Sequence, residues 1–195
     1  RIIQEVDMDY VNSLELPGKT LHPGDILPKD QQSEGEQGHG IIDEDDRVII
    51  GTQDPKFYGG FSSQLSWKGI SVNSVFTFAY GAKKISSYYE GLMSGTGYGP
   101  AHTDLLDRWT PENTDTNIPR VTYDNPSRFS AGETSWGIQD ASFLRLATLT
   151  LAYDFPANLV DQLGLNGLRV YTTGNNLYTW TKYKGYDPEN GDWYP

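Results

Sequence analysis

Residues 57–81 read FYGGFSSQLSWKGISVNSVFTFAYG. Phe61, Leu65 and Trp67 alternate with Ser62, Gln64 and Ser66. After Lys68-Gly69, Ile70, Val72, Phe76, Phe78 and Tyr80 alternate with Ser71, Asn73, Thr77 and Ala79, and Val75 is the one apolar residue on the polar side. Successive strand side chains point to opposite faces, so the pattern predicts a hairpin with one apolar and one polar face. The segment contains no acid and one base, Lys68, at the turn. Each strand is about 11 residues, longer than the ~5–6 usual in soluble sheets and close to the ~9–11 that cross a bilayer at a tilt.

A second pair of strands follows the same rule. From Ala147, Leu149, Leu151, Tyr153 and Phe155 oppose Thr148, Thr150, Ala152 and Asp154; further on, Leu168, Val170 and Thr172 alternate with Arg169, Tyr171 and Thr173. A soluble secreted β-sandwich, binding glycans through exposed aromatics, and a membrane barrel both fit this alternation. Connection lengths favour the barrel. A polar stretch at roughly 22–56, a loop of nearly sixty residues at 82–140 and another loop from 182 onward alternate with short turns at 68–69 and 156–167. Structureless loops beyond ~12–15 residues are uncommon in compact soluble domains, whereas long outer loops and short periplasmic turns are the expected asymmetry of an outer-membrane barrel. Phe57, Tyr58, Tyr80, Tyr178 and Trp180 would then mark the outer interface, and Trp67, Tyr153 and Phe155 the inner one.

Composition narrows the function classes. A formal net charge of −11 argues against nucleic-acid binding, which needs clustered Lys and Arg. Aromatic content of 13% argues against simple disorder. No apolar run is long enough for a transmembrane helix, which leaves a barrel open because barrel strands carry a weaker signal. With no cysteine there is neither a disulfide nor a thiolate metal site. The chain opens at Arg1 and stops at Trp193-Tyr194-Pro195 just after a loop, so it reads as a piece of a longer protein.

Four phrases resemble the C-terminal part of SusC-like TonB-dependent transporters, outer-membrane nutrient importers typical of Bacteroidetes. They are GHGIIDEDDRVIIGTQDPKFYGGFSSQLSWKGI (38–70), RWTPENTDTNIPR (108–120), DASFLRLATLTLAYDFP (140–156) and GNNLYTWTKYKGYDPENG (174–191), in the family's order. Residues 1 to about 20 fall outside them and read as a preceding strand and loop. The resemblance implies an all-β fold: the last five or six or so strands of an antiparallel transmembrane β-barrel of about 22 strands, with long extracellular loops. Residues 1–195 would be a partial barrel domain, the N-terminal plug and final closing strand lying elsewhere. It further implies no enzymatic activity, a location in the outer membrane amid its lipid, and TonB-driven import of an oligosaccharide or a peptide. The partners implied are a SusD-like surface lipoprotein and, through the N-terminal region, the TonB complex.

Candidate chemistry is sparse. Residues 35–46, GEQGHGIIDEDD, align with a calcium-loop pattern that puts Gly40 at the turn, Ile42 at the apolar anchor, and Asp43 and Asp46 at two ligand positions. Gly35, Gln37 and His39 stand where early oxygen ligands belong, and QQSEGEQG separates Asp30 from the loop. The balance is therefore toward a solvated acidic turn, and no cofactor is expected to be required. Residues 20–56 hold nine acids against three bases, a solvated outer loop. His22, His39 and His102 lie in separate loops without metal-ligand spacing. GTGYG at 95–99 lacks the strand-to-helix context of a phosphate loop. Tyr88, Tyr89, Tyr98, Trp109, Tyr123 and Trp136 offer rings for sugar stacking or, as the favoured reading, for packing the long loop, with Trp109 buried.

An isolated barrel piece has unpaired edge strands and lacks its partners, so residues 1–195 expressed alone should aggregate or stay unfolded. A monodisperse soluble monomer with cooperative melting would favour the sandwich instead.

Overall fold

The computed structural model describes residues 1–31, 38–95, 99–122 and 128–190. Its frame is a four-stranded antiparallel sheet of β1 (Phe57–Trp67), β2 (Ile70–Tyr80), β5 (Phe143–Asp154) and β6 (Arg169–Thr181), in that spatial order. A three-residue ladder of β3 (Lys83–Ile85) and β4 (Ile138–Asp140) closes the base of the long loop. Both expected strands of the first hairpin form with the expected bounds. Lys68 and Gly69 carry φ of 48° and 86°, the tight turn that matches the strands' right-handed twist and that glycine adopts without strain.

Register settles which side chains share a face. Leu65 opposes Val72, which opposes Leu151 and then Thr172; one step along, Gln64 opposes Asn73, then Thr150 and Thr173. Phe61 stacks on Phe76 with centroids 4.8 Å apart on the apolar face. The hydroxyls of Thr150 and Thr173 lie 3.0 Å apart on the polar one. Between Leu146 and Thr148 the register shifts, so Ala147 is an extra residue. That bulge lets Leu144 and Leu146, even-numbered, share the apolar face with Leu149 and Leu151, odd-numbered. Tyr58, expected with the outer aromatics, pairs with Ala79 and so belongs to the polar face. Phe57, Tyr80, Tyr178 and Trp180 do share one end of the apolar face, and Trp67 and Tyr153 the other.

No second sheet covers this one among the described residues, apart from the β3–β4 ladder. Large apolar side chains are consequently exposed: Leu65 by 66%, Trp67 by 68%, Val170 by 56%. The packed apolar clusters lie outside the long strands, in the connecting segments. Residues 1–20 depart from expectation: a 3-10 turn at Glu5–Asp7 and the helix α1 (Met8–Ser13) replace a strand. Val11 of that helix joins Ile3, Leu21, Leu27 and Ile42 in one cluster. Helix α2 (Ser87–Met93), whose N-terminus Ser86 caps by accepting from Tyr89 N–H, contributes Tyr89 and Met93 to another, with Leu105. The turn after β5 holds the short helix α3 (Ala157–Val160), its Val160 buried.

All the long segments emerge at one end. The ends of β1 and β2 at Phe57 and Tyr80, and of β5 and β6 at Phe143 and Thr181, lie together there, and they bond across large sequence separations. Arg120 donates through Nε and an Nη to the two carboxylate oxygens of Asp25, at 2.7 and 3.0 Å; the Asp25 side chain is fully buried. Trp109, 7% exposed as expected, lies over Gly24, where a Cβ would come within 2.5 Å of the indole, and its Nε1–H donates to Gln4.

Replacing Arg120 with Ala leaves that carboxylate buried without its partner, a loss of about 3–5 kcal/mol. In the full-length receptor, hydrogen exchange should then show lost protection in residues 20–27 and 105–122 while the long strands stay protected. Unchanged exchange in both segments would contradict the pairing's role.

Candidate functional site

The acidic turn is built on backbone hydrogen bonds. Asp43 caps the 3-10 turn Glu44–Asp46 by accepting from Asp45 N–H at 2.9 Å, and Asp46 accepts from Asp43 N–H at 2.8 Å and from Gln31 N–H. Asp30, separated in sequence, returns here: its oxygens accept from His39 N–H and Gly40 N–H at 3.0 and 2.9 Å. Gly40 does take the turn, at φ 89°, and Ile42 does anchor the loop, 6% exposed. Gly35 and Gln37 lie outside the described residues. Carboxylates engaged with N–H groups in this way hold the turn. Among the described residues no group of three or more His, Asp or Glu has the arrangement to hold a metal ion. His22, His39 and His102 remain apart, His102 capping Thr103–Asp107 through Nδ1.

Of the aromatics, Tyr89 and Trp136 come together, stacked with centroids 6.3 Å apart, and Trp136 donates to the Asn117 carbonyl. Tyr88 packs on Tyr186 at 4.0 Å. Tyr98 and Tyr123 lie outside the described residues. Packing accounts for Tyr89, Trp109 and Trp136.

Two clasps escaped the sequence reading. In the first, the Tyr89 hydroxyl donates to Asp104 at 2.7 Å and the Lys184 ammonium donates to the same oxygen. Lys184 and then Tyr89 hold the Asp104 carboxyl below its usual range, Asp104 raises Lys184, and desolvation followed by the Asp104 bond raises Tyr89. Each shift fixes the protonation state already favoured at neutral pH, the opposite of a catalytic acid or base poised near the working pH. In the second, Arg145 on the polar face reaches Asp187 and Glu189, both at 2.8 Å, and Thr179 at 3.1 Å. Lys84 donates to the carbonyls of Pro188 and Glu189 from the other side. The segment 182–190 is thereby strapped across one end of the polar face, over a hollow of about 370 Å³ lined by Arg145, Asn176 and Tyr186. Partners separated by 42 or 80 residues leave no local pattern. The one available signal was Arg145 itself, a charge inside an otherwise uncharged strand run.

No helix among the described residues is long and apolar enough to cross a membrane, which says nothing of a barrel. No family model matches the chain. Similar proteins do. TonB-dependent receptor P3 of Formosa agariphila is 34% identical over 172 residues, covering 88% of this chain and 16% of the relative. TonB-dependent receptor SusC of Bacteroides thetaiotaomicron is 28% identical over 154 residues, 78% of this chain and 14% of the relative. The structure of the RagAB peptide transporter matches 73% of this chain and 15% of its own at 35% identity, TM-score 0.57. The RagAB peptide importer in its closed-closed state covers 85% of this chain and 18% of its own at 32% identity, TM-score 0.60. The chain thus spans about a sixth of the length of these relatives, and its antiparallel sheet follows theirs, which sets the β-sandwich aside. Four ordered phrases, an uncovered sheet and these likenesses converge: the chain belongs to the SusC-like TonB-dependent receptors.

Proposed function

We propose that this chain forms part of the wall and the surface-loop assembly of an outer-membrane importer that takes up an oligosaccharide or peptide nutrient at the expense of TonB-transmitted energy. The observation that carries the reading is the pairing of two asymmetries. One face of the sheet is apolar, exposed and aromatic at both ends, while every long segment leaves from a single end.

A bilayer accounts for both. Strands can cross lipid only where neighbouring strands satisfy every backbone group, which calls for closure into a barrel beyond the four strands seen here. The apolar face then meets lipid and the polar face, with Gln64, Asn73, Thr150 and Thr173, lines the lumen. Lys68-Gly69 and the turn at 156–167 lie in the periplasm, and the described residues of segments 1–56, 81–142 and 182–190 form a packed outer surface. A packed rather than loose surface suits the seating of a SusD-like lipoprotein. The likeness to the RagAB peptide transporter supports a peptide as cargo, and the resemblance to SusC-like receptors an oligosaccharide. Calcium in the Asp43 and Asp46 turn plays no part in the proposed function.

Thr116 is a poor reporter of topology, because its hydroxyl donates to the Asp107 carbonyl at 2.6 Å and accepts from Ile118 N–H. Glu112, exposed on the adjoining turn, is a better one. In the full-length receptor, Glu112→Cys should react with a membrane-impermeant maleimide in intact cells. Reaction only after the outer membrane is permeabilised would reverse the orientation and overturn the proposal.

A further inference from the structure

At the outer end of the apolar face the aromatics do not form a continuous band; they stand as two walls. On one side Phe57 stacks on Tyr80 at 5.0 Å and meets Phe78 edge-on at 6.3 Å. On the other, Tyr178 and Trp180 pack edge-to-face at 4.8 Å. The strand between them, β5, is preceded by Ser142, a residue too small to fill the space, whose hydroxyl is turned to Asp140 and Gly81. The result is a groove of about 730 Å³, within the ~300–1,000 Å³ of small-molecule sites. Its lining includes both aromatic walls, Ser142 and, at the polar end, Lys182.

Lys182 differs from the lysines around it. Lys83 pairs with Asp140 at 3.5 Å, Lys184 pairs with Asp104, and Lys84 is bound by carbonyls. Lys182 is exposed and makes no ion pair among the described residues, on a chain of net charge −11. Among the described residues the one carboxylate in the lining, Asp140, is occupied by Lys83 and by both Ser142 donors. Apolar walls ending at an unmatched cation, at the level where membrane gives way to water, complement an amphiphile with an anionic head.

We propose that this groove is a specific site for a lipid of net negative headgroup charge at the outer interface, its acyl chain lying between the aromatic walls and its phosphate against Lys182. The inference rests on the assignment of the apolar face to the membrane. A bound lipid there would extend the wall over the gap above Ser142 and brace the ends of β2 and β6 against each other, beneath the loops they carry.

The test uses the full-length receptor in nanodiscs of phosphatidylcholine containing a minor fraction of phosphatidylglycerol, with the lipids retained after detergent release counted by native mass spectrometry. Wild type should keep phosphatidylglycerol in preference to phosphatidylcholine. Lys182→Met, an exposed change, should cut that retention about tenfold, as should Ser142→Trp, which fills the groove. Lys68→Met at the opposite end should not. Equal retention of the two lipids, or unchanged retention in both groove variants, would overturn the site and leave annular contact only. Displacement by inorganic phosphate with the acyl groove indifferent to Ser142→Trp would show a free-phosphate site instead. Failure of the receptor to enter the nanodisc at all would strike the membrane assignment, a separate outcome from insertion without selective retention.

Discussion

The hydrogen-bond ladder between long antiparallel strands is the constraint on which the remaining structure depends. Once Leu65, Val72 and Leu151 are set abreast, Gln64, Asn73 and Thr150 are set abreast on the reverse side, and no side chain can change face without shifting a whole strand. The bulge at Ala147 is the one place where β5 breaks step, and it does so in the sense that keeps Leu144, Leu146, Leu149 and Leu151 together. Apolar continuity across the sheet therefore overrides strict alternation along a single strand. A sheet made this way has no interior of its own, and its apolar side needs a partner that the described residues do not supply.

The protein-like cores lie instead among the connecting segments. Ile3, Val11, Leu21, Leu27 and Ile42 make one, and Tyr89, Met93 and Leu105 another. Between them, buried or shared charges join distant parts of the chain: Asp25 to Arg120, Asp104 to Lys184, Arg145 to Asp187 and Glu189. An Arg fork on a buried carboxylate is valuable less for its net energy than for the penalty of breaking it, which makes the arrangement of the loops all-or-none. The strap across Arg145 brings the same stiffness to the polar face.

Strands, turn and faces were legible in the sequence because period-2 alternation is a local signal, written within each dozen residues. Trp109's burial was legible too, from its place in a turn-rich phrase of the long loop. The helix α1 was missed, since six residues with a single buried apolar position, Val11, carry no helical periodicity. Tyr58 lies at the outer end as expected, but its parity puts it on the polar face, apart from Phe57 and Tyr80. The clasps were invisible for a different reason: Asp104 and Lys184 are 80 residues apart, and only the sheet, by returning every long segment to one end, makes them neighbours. In the acidic turn the early ligand positions held by Gly35, Gln37 and His39 already pointed to a solvated turn, and the described carboxylates of Asp30, Asp43 and Asp46 accept from backbone N–H groups.

The central claim is that the face carrying Leu65, Val72 and Leu151 meets lipid. A nitroxide scan of residues 144–153 in the reconstituted full-length receptor tests it most directly, comparing collision with oxygen, which partitions into the bilayer, and with a water-soluble nickel chelate. Oxygen-dominated exposure is expected at 144, 146, 149, 151 and 153, chelate access at 148 and 150, and the change of phase at Ala147. Chelate access on both faces, or oxygen exposure that follows Arg145, Thr148 and Thr150 instead, would contradict it.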